Sequence, residues 1–292
     1  MQLIDGKKIA AEIKSELAEK SAAIIDRGER VPHLAAILIG DDPASQSYVS
    51  SKEKACQEVG FTSTLYRLEE NTTEKKLLEI IDFLNSDDEV DGFIVQLPLP
   101  KHIAADKVIN RINPSKDVDG FHPESLGKMV TGQPTFLPAT PYGIMQMIER
   151  TGIETEGKHC VVLGRSNIVG TPISILLSRK ATPGNCTVTL CHTKTPNLKE
   201  IATTADILIA AMGQPEFVTA DMVKEGAVVI DVGIHRILDT SPKGYHIVGD
   251  VKFEEVAPKC SYITPVPGGV GVMTVVSLLM NTLRAYEFRE KR

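Results

Sequence analysis

The chain has 292 residues, of which 42% are hydrophobic and 24% are charged, a composition typical of a globular protein that buries a substantial core. This length suits one large domain or two of ordinary size. The formal net charge is −6 and no block of Lys and Arg occurs, which argues against binding to nucleic acid or to an anionic membrane surface.

The N-terminal segment, the apolar stretches and the cysteines indicate the expected cellular compartment. The N-terminal segment carries acidic residues and no apolar core, unlike a secretory signal, and the longest apolar stretches, such as 207–212, are too short to span a bilayer. Five cysteines without a paired framework are typical of the reducing cytoplasm. Cys186, Cys191 and His192 lie close together, but their spacing matches no zinc pattern and a strand core explains Cys191 better, so we expect no metal.

The first part of the chain alternates helices and strands. Apolar periodicity predicts helices over 7–27, 45–59 and 74–85, the last opened by an Asn71-Thr-Thr-Glu74 capping pattern. Continuous apolar or alternating runs predict strands over 33–39, 61–68 and 92–97. Strands separated by helices of this length predict βαβ units and a parallel sheet.

Residues 113–141 are rich in Pro, Gly, Ser and Asp and favour a functional loop with a short helix at 124–129. A helix over 141–150 leads into a second alternating region. Its predicted strands are 159–163, 187–191, 206–211, 227–232 and, after a polar hairpin-like insert, 245–248. Its predicted helices are 168–179, one starting at 196, and 273–288 after the Gly/Pro loop at 265–271.

The run HCVVLGRSNIVGTPISILLS indicates a dinucleotide site, because it consists of a buried strand, a turn and a helix. Gly164, Ser166 and Gly170 are small residues that let a pyrophosphate approach the N–H groups at the helix start. Ser166 stands where the common G-x-G-x-x-G pattern has its second glycine, so an ordinary structural turn is the alternative.

The following strand favours NADP over NAD. It ends Leu190-Cys191-His192-Thr193-Lys194, without the acidic residue that binds the ribose of NAD. Arg165, in the turn, has the planar fork that matches a 2′-phosphate. The alternative is that Arg165 is an ordinary solvated side chain.

Candidate substrate residues come from the first half. Tyr48 and Lys52 share one face of a predicted helix and form a possible proton-transfer pair, although such pairs are more often solvated. Gln96 ends a buried strand, where a polar side chain needs a partner. Of the loop residues Asp117 and Asp119, one could simply cap the turn, and His122 is either a base or structural.

Six motifs in order and register carry a family resemblance: YVSSK, VQLPLP, PSKDVDGFHP, PATPYGI, GRSNIVGTP and PVPGGVGVMT. The chain resembles the bifunctional methylenetetrahydrofolate dehydrogenase/cyclohydrolase family over essentially its whole length. The resemblance implies an α/β fold of two domains with parallel sheets, the second a Rossmann-type NADP-binding domain, with the active site in the cleft between them. The implied domains are 1–145 plus 274–292 for folate and catalysis, and 146–273 for NADP.

The resemblance also implies the reaction and its residues. The chain would oxidise 5,10-methylenetetrahydrofolate with NADP and hydrolyse the methenyl product to 10-formyltetrahydrofolate, as a cytoplasmic homodimer. Lys52 matches the catalytic lysine, Tyr48 its neighbouring tyrosine, Gln96 the residue that tunes the lysine, and Asp119 the pterin-binding carboxylate. The implied substrate contacts add Leu97, Pro267, Gly268 and Gly269. The implied cofactor contacts are Gly164, Arg165, Ser166, Ile168, Gly170, His192, Thr193 and Ile234.

Three positions depart from the family pattern: Ala139 stands for Cys, Val272 for Pro and His235 for Asn. Val272 is expected to loosen the loop, and His235 has no assigned role.

Two other hypotheses about the function remain. One is an NADP oxidoreductase acting on a hydroxy acid or amino acid, which would leave the Tyr48, Lys52 and Gln96 set unexplained. The other is a catalytically silent cofactor-binding subunit, which would be expected to lose the lysine or the carboxylate.

Overall fold

The strands form two parallel sheets and one antiparallel hairpin in a computed structural model that describes residues 1–240 and 244–290. The strands are β1 Gln2–Leu3, β2 His33–Ile39, β3 Thr62–Leu68, β4 Gly92–Val95, β5 His159–Leu163, β6 Thr187–Cys191, β7 Ile207–Ala210, β8 Val228–Asp231, β9 His235–Leu238, β10 Tyr245–Val248 and β11 Tyr262–Ile263. The helices are α1 Gly6–Asp26, α2 Pro43–Glu58, α3 Glu74–Ser86, α4 Ala105–Arg111, α5 Pro123–Val130, α6 Ala139–Thr151, α7 Gly170–Ser178, α8 Leu198–Ala202, α9 Phe253–Val256 and α10 Val270–Glu290.

The chain divides into two compact units. Unit 1 comprises Met1–Ala10 and Thr140–Thr274, and unit 2 comprises Ala11–Ala139 and Val275–Arg292. This division differs from the domain boundaries expected from the sequence, because the first residues group with the later part of the chain. The reason is strand pairing: Gln2 and Leu3 lie parallel to Tyr262 and Ile263, at the edge of the larger sheet.

Unit 1 contains the six-stranded sheet, in the order β1-β11-β8-β7-β5-β6. All of its pairings are parallel. Strand β6 lies on one side of β5 and β7 on the other, so the order reverses direction at the carboxyl end of β5. Such a reversal opens a crevice at the strand ends, which is where open α/β sheets bind ligands. The predicted α/β class and parallel sheet are confirmed.

Unit 2 contains the three-stranded parallel sheet, in the order β3-β2-β4. Phe93 of β4 is wholly buried in a cluster with Ile37, Leu77 and Ile81, contributed by β2 and α3. Burying each such side chain stabilises the unit by about 1.5–3 kcal/mol. A backbone bridge joins Phe93 to Asp117, so the segment after α4 continues the sheet beyond β4.

Most predicted elements form within a few residues of the expected bounds, and the exceptions have local causes. Helix α3 is capped by Thr73, whose Oγ1 accepts a hydrogen bond from the Lys76 amide at 3.2 Å. The predicted cap at Asn71 is therefore wrong. Val272 lies in the first turn of α10 and not in the preceding loop. Over the described ranges, no helix is long and apolar enough to cross a membrane.

Candidate active site

Helix α2 presents one lysine to the interior of unit 2. Asp42 caps the helix, its carboxylate accepting from the Ser45 amide at 2.8 Å. The residues buried along the helix follow its 3.6-residue period; they are Ser45, Val49, Lys52, Ala55 and Cys56. Lys52 is only 9% exposed, which is unusual for a lysine. A solvated helix face, the alternative weighed from the sequence, therefore does not describe Lys52.

Gln96 holds the buried amine. Lys52 Nζ donates to Gln96 Oε1 at 2.9 Å, and Gln96 Nε2 donates to the Leu97 carbonyl at 2.7 Å. The second bond fixes the orientation of the amide, because it directs the nitrogen away from the lysine and the oxygen towards it. The Gln96 backbone amide donates to Ile37 O at 2.9 Å, which extends the β2–β4 ladder by one residue. The partner that the sequence required for a polar residue at this strand end is Lys52.

Asp119 is the carboxylate that acts on the charge of this lysine. Burial lowers the pKa of Lys52, and the negative charge of Asp119 partly offsets that effect. Burial likewise raises the pKa of Asp119, and Lys52 partly offsets that rise. The pair does not form an ion-pair contact, so the amine is electrostatically coupled to the carboxylate but held by a neutral amide. A lysine in this setting gives up its proton more readily than one in water.

Asp117 and Asp119 have different roles. Asp117 is 2% exposed and accepts hydrogen bonds from the His122 amide at 2.8 Å and from Ser125 Oγ at 3.0 Å. Burial raises the pKa of Asp117 to about 7. Asp117 is therefore the residue that fixes the turn. His122 caps helix α5, with Nδ1 accepting from the Glu124 amide at 3.0 Å, so its structural role is the one realised.

The segment that carries Asp119 is held from two sides. Gly92 of β4 has no side chain, and a Cβ there would lie 2.2 Å from Val118 Cγ1, so only glycine allows the segment to approach the sheet this closely. The buried amide of Asn281, in α10, donates to the carbonyls of Val118 at 2.8 Å and Leu137 at 2.9 Å. Asn281 was not among the residues predicted from the sequence, although a polar residue in an apolar helix is a usable signal.

Tyr48 lies one turn before Lys52 and is 40% exposed. Partial burial raises the pKa of its phenol, so it stays neutral at physiological pH. Cys56 lies one turn after Lys52 and is wholly buried, and burial raises the pKa of its thiol to about 12. The lysine thus has neutral neighbours on both sides along its helix.

Unit 1 contains the predicted dinucleotide turn. Gly164 follows β5 with φ +109°, and a Cβ there would lie 2.0 Å from Ala211 O. A Cβ on Gly170 would lie 1.9 Å from Gly164 O. At both positions only glycine fits, because any larger side chain would overlap these carbonyl oxygens. The turn between them is exposed and includes Arg165, Ser166 and Ile168.

The turn provides backbone donors and one cation. Ser166 Oγ accepts from the amides of Val169 at 3.2 Å and Gly170 at 3.4 Å, next to the start of helix α7. The amides of residues 165–168 have no acceptor among the described residues. The Arg165 guanidinium makes no hydrogen bond or ion pair with any described residue. Exposed amides next to a glycine turn and a free guanidinium fit the phosphates of a dinucleotide.

The remaining predicted cofactor residues lie at neighbouring strand ends of the same sheet. His192 follows β6, where its Nδ1 accepts from the Lys194 amide at 3.1 Å, and Thr193 beside it is exposed. Ile234 follows β8 and is 44% exposed. The loop before α10 in the same unit carries the predicted substrate contacts Pro267, Gly268 and Gly269, of which Pro267 is exposed and Gly269 is buried.

The structure thus collects the predicted residues into two sets. Lys52, Gln96, Leu97 and Asp119 lie together in unit 2, with Tyr48 at the surface of the same helix. The cofactor residues follow the carboxyl ends of β5, β6 and β8 in unit 1. Over residues 1–240 and 244–290, no group of three or more His, Cys, Asp or Glu side chains is arranged to hold a metal ion. Cys186 and Cys191 are buried free thiols.

Taken together, these features define a two-unit α/β protein with a dinucleotide-type sheet in one unit and a buried lysine site in the other. Two family models match the chain: the tetrahydrofolate dehydrogenase/cyclohydrolase catalytic domain over residues 4–119, and the NAD(P)-binding domain of the same family over residues 138–290. The chain belongs to the tetrahydrofolate dehydrogenase/cyclohydrolase family. The resemblance drawn from the sequence motifs is confirmed.

Individual relatives agree with this assignment. The bifunctional protein FolD of Cytophaga hutchinsonii is 63% identical over 286 residues, covering 98% of this chain and 99% of that protein. The FolD protein of Porphyromonas gingivalis is 60% identical, covering 97% and 96%. Among solved structures, the Campylobacter jejuni FolD dehydrogenase/cyclohydrolase has a TM-score of 0.93 at 49% identity, covering 99% of both chains. The Trypanosoma brucei enzyme, solved with NADP and an inhibitor, has a TM-score of 0.94 at 37% identity, covering 99% and 98%.

Proposed function

We propose that this chain oxidises 5,10-methylenetetrahydrofolate to the 5,10-methenyl form with NADP, and then hydrolyses that product to 10-formyltetrahydrofolate. The observation that carries the proposal is the Lys52 amine, buried and held at 2.9 Å by Gln96 Oε1. Family membership supports both activities. Unit 2 would bind the folate and unit 1 the cofactor; the location of the active site between the domains stays a prediction.

When bound, NADP would supply the acceptor for the hydride that leaves the methylene carbon. The chain contributes binding and orientation to this step, which needs no protein nucleophile. In unit 1, the amides of the 165–168 turn would bind the pyrophosphate, and Arg165 the 2′-phosphate. The close contacts at Gly164 and Gly170 support this assignment, because they exclude a side chain at both ends of the turn. Thr193, His192 and Ile234 would complete the contacts.

Hydrolysis depends on Lys52. The methenyl product is a cation whose bridging carbon is open to attack by water. As the water oxygen bonds to that carbon, the neutral Lys52 amine takes one of its protons. When the bond from the carbon to N5 then breaks, the ammonium returns a proton to N5, while the hydroxyl proton leaves to solvent and the formyl group stays on N10. Proton transfer by a positioned side chain contributes roughly 10²–10⁴-fold to such a rate.

The other residues of the site support this cycle. Gln96 holds the amine without adding charge, so the neutral form of Lys52 stays accessible. Asp119 would accept hydrogen bonds from the N–H groups of the pterin ring, and its carboxylate limits how far burial lowers the lysine pKa. Tyr48 would line the folate side, with a phenol that remains neutral.

The experiment compares Lys52→Met with Lys54→Met, an exposed lysine on the same helix. We expect Lys52→Met to lose hydrolysis of methenyltetrahydrofolate by at least about 10²-fold while its affinity for NADP is unchanged. We expect Lys54→Met to behave as the unaltered chain does. Methenyl absorbance reports hydrolysis, and titration calorimetry reports NADP binding. Formation of 10-formyltetrahydrofolate at an undiminished rate in Lys52→Met would remove the lysine from this role.

We also propose that the enzyme works as a homodimer in the cytoplasm. The five cysteines are all buried free thiols, which supports a reducing compartment. The homodimer is proposed from family membership alone. Light scattering on the eluting protein measures the mass directly: twice the chain mass is expected, and a monomer at micromolar concentration would contradict it.

A further inference from the structure

A buried carboxylate in unit 1 organises the turn after β7. Asp250 is wholly buried. One of its oxygens accepts from the amides of Met212 at 2.6 Å and Gly213 at 2.9 Å, and the other accepts from the amide of Gln214 at 3.0 Å. Three consecutive amides bound to a single carboxylate fix the conformation of this turn.

The turn after β8 lies against the same carboxylate. A Cβ on Gly233 would lie 2.4 Å from Asp250 Oδ1, so the backbone of this turn approaches the carboxylate directly. Behind it, Asp231 Oδ1 accepts from the amides of Gly233 and Asp250, both at 2.9 Å. Two buried carboxylates therefore hold the ends of β7 and β8 next to each other.

His235 completes this arrangement. Its Nε2 donates to Asp250 Oδ1 at 2.7 Å, and its side chain is 19% exposed. The His235 ring faces the Asp250 carboxylate, and Asp231 in turn accepts from the Asp250 amide. Hydrogen bonds to a buried carboxylate are among the stronger ones in proteins, because the charge is poorly solvated. His235 thus connects the β8 turn to the β7 turn by a side-chain bond.

These turns lie on the dinucleotide edge of the sheet. Strands β5, β7 and β8 are neighbours, and Ala211 O, just before the Asp250-bound amides, meets the Gly164 turn. Strand β6 lies on the side of β5 opposite β7, which assigns the adenosine end of a dinucleotide to that side. The β7 and β8 turns then face the nicotinamide end. Ile234, an expected cofactor contact, immediately precedes His235.

We propose that His235 is a positioning residue for the nicotinamide half of the cofactor. Through Asp250 it joins the 212–214 turn to the β8 turn and fixes the backbone that carries Ile234. This inference rests on the proposed NADP function. Because NADP and NAD share the nicotinamide half, removal of the bond weakens both cofactors by the same factor, whereas a change at Arg165 acts on NADP alone.

The test uses variants that differ at the donor. His235→Phe keeps a ring without the N–H, and His235→Gln restores an N–H on a chain of similar reach. His246→Phe is the matched control, since His246 is an exposed histidine of the same hairpin, bonded to Asp239 at 2.7 Å. Calorimetry measures the dissociation constants of NADP and NAD, and hydrogen exchange measures protection of the 212–214 amides.

We expect His235→Phe to raise both dissociation constants by about 10- to 100-fold, the range for a lost bond to a charged group. The 212–214 amides should exchange faster, and kcat at saturating cofactor should change by less than about 3-fold. His235→Gln should recover affinity to within about 3-fold, and His246→Phe should match the unaltered chain. If His235→Phe does not fold, His235→Ala takes its place in the same titrations.

Unchanged affinities in the folded donorless variant would overturn the inference, whether or not the amides exchange faster. Failure of His235→Gln to recover affinity would also overturn it, since the effect would then come from shape and not from the bond. An unaltered chain that binds neither cofactor would instead overturn the proposed function. The two failures are therefore distinguishable.

Discussion

Gln96→Glu places a negative charge where the amide oxygen now accepts from Lys52 at 2.9 Å. At an effective dielectric constant near 20, opposite charges about 4 Å apart attract by about 4 kcal/mol. That energy favours the ammonium over the amine by about 10³-fold, because about 1.4 kcal/mol corresponds to a factor of ten. Desolvation of the new carboxylate offsets part of the attraction. We therefore expect hydrolysis at neutral pH to fall by at least about 10²-fold.

The assay follows the decay of methenyl absorbance across pH. Since the carboxylate stabilises the protonated lysine, the acidic limb of the pH–rate profile should move to higher pH in Gln96→Glu. Gln57→Glu is the control, on the exposed side of helix α2, which carries Lys52. It makes the same change in charge away from the lysine amine and should leave the pH–rate profile unchanged. Gln96→Met removes the acceptor without adding charge and should lose less activity. Equal losses in the Glu and Met variants, without a shift of the profile, would refute the electrostatic reasoning.

Three further predictions concern the cofactor turn and the Asp119 loop. Arg165→Ala should raise the KM for NADP by about 10- to 100-fold but leave that for NAD unchanged, since only NADP has a 2′-phosphate; equal effects would contradict the assignment. Gly164→Ala should lower the free energy of unfolding by about 2–4 kcal/mol, because its Cβ would overlap Ala211 O. The control Gly157→Ala, at φ +70° with open space around the added Cβ, should lower it by about 1–2 kcal/mol. Denaturant titrations measure both, and similar costs in the two variants would rule out the overlap. Asp117→Asn should flatten the pH dependence of stability between about pH 4 and pH 7. The folded pKa of Asp117 is raised from 3.8 to about 7, so its contribution is fully present at low pH and is lost as pH rises through 7, by at most about 4 kcal/mol. An unchanged slope in the Asn variant would contradict this.

The sequence predicted the longer elements well because their apolar periods are long enough to read. It missed β1, α4, β9, α9 and β11, which are short: β1 has two residues, and α4 buries only Val108. Strand β1 forms because Gln2 and Leu3 pair with Tyr262 and Ile263 at the edge of the sheet. No local sequence pattern identifies a pairing partner so far along the chain.

The candidate site shows the same limit. Motif and residue type singled out Lys52, Gln96 and Asp119, but the state of the lysine depends on contacts that sequence spacing does not encode. The Lys52–Gln96 bond joins residues 44 positions apart, and burial of the amine follows from tertiary packing. For the same reason His235 had no assigned role, since its partner Asp250 reaches it only once β9 and β10 pair.

The most direct measurement is a titration of the Lys52 amine itself. Carbon-13 labelling at the lysine ε position, with the resonance assigned by its loss in Lys52→Met, gives the pKa from the change of chemical shift with pH. The buried, amide-held amine predicts an inflection below the ordinary lysine value of 10.5. An inflection at or above 10.5 would contradict the account, because the amine would then have no tendency to release its proton.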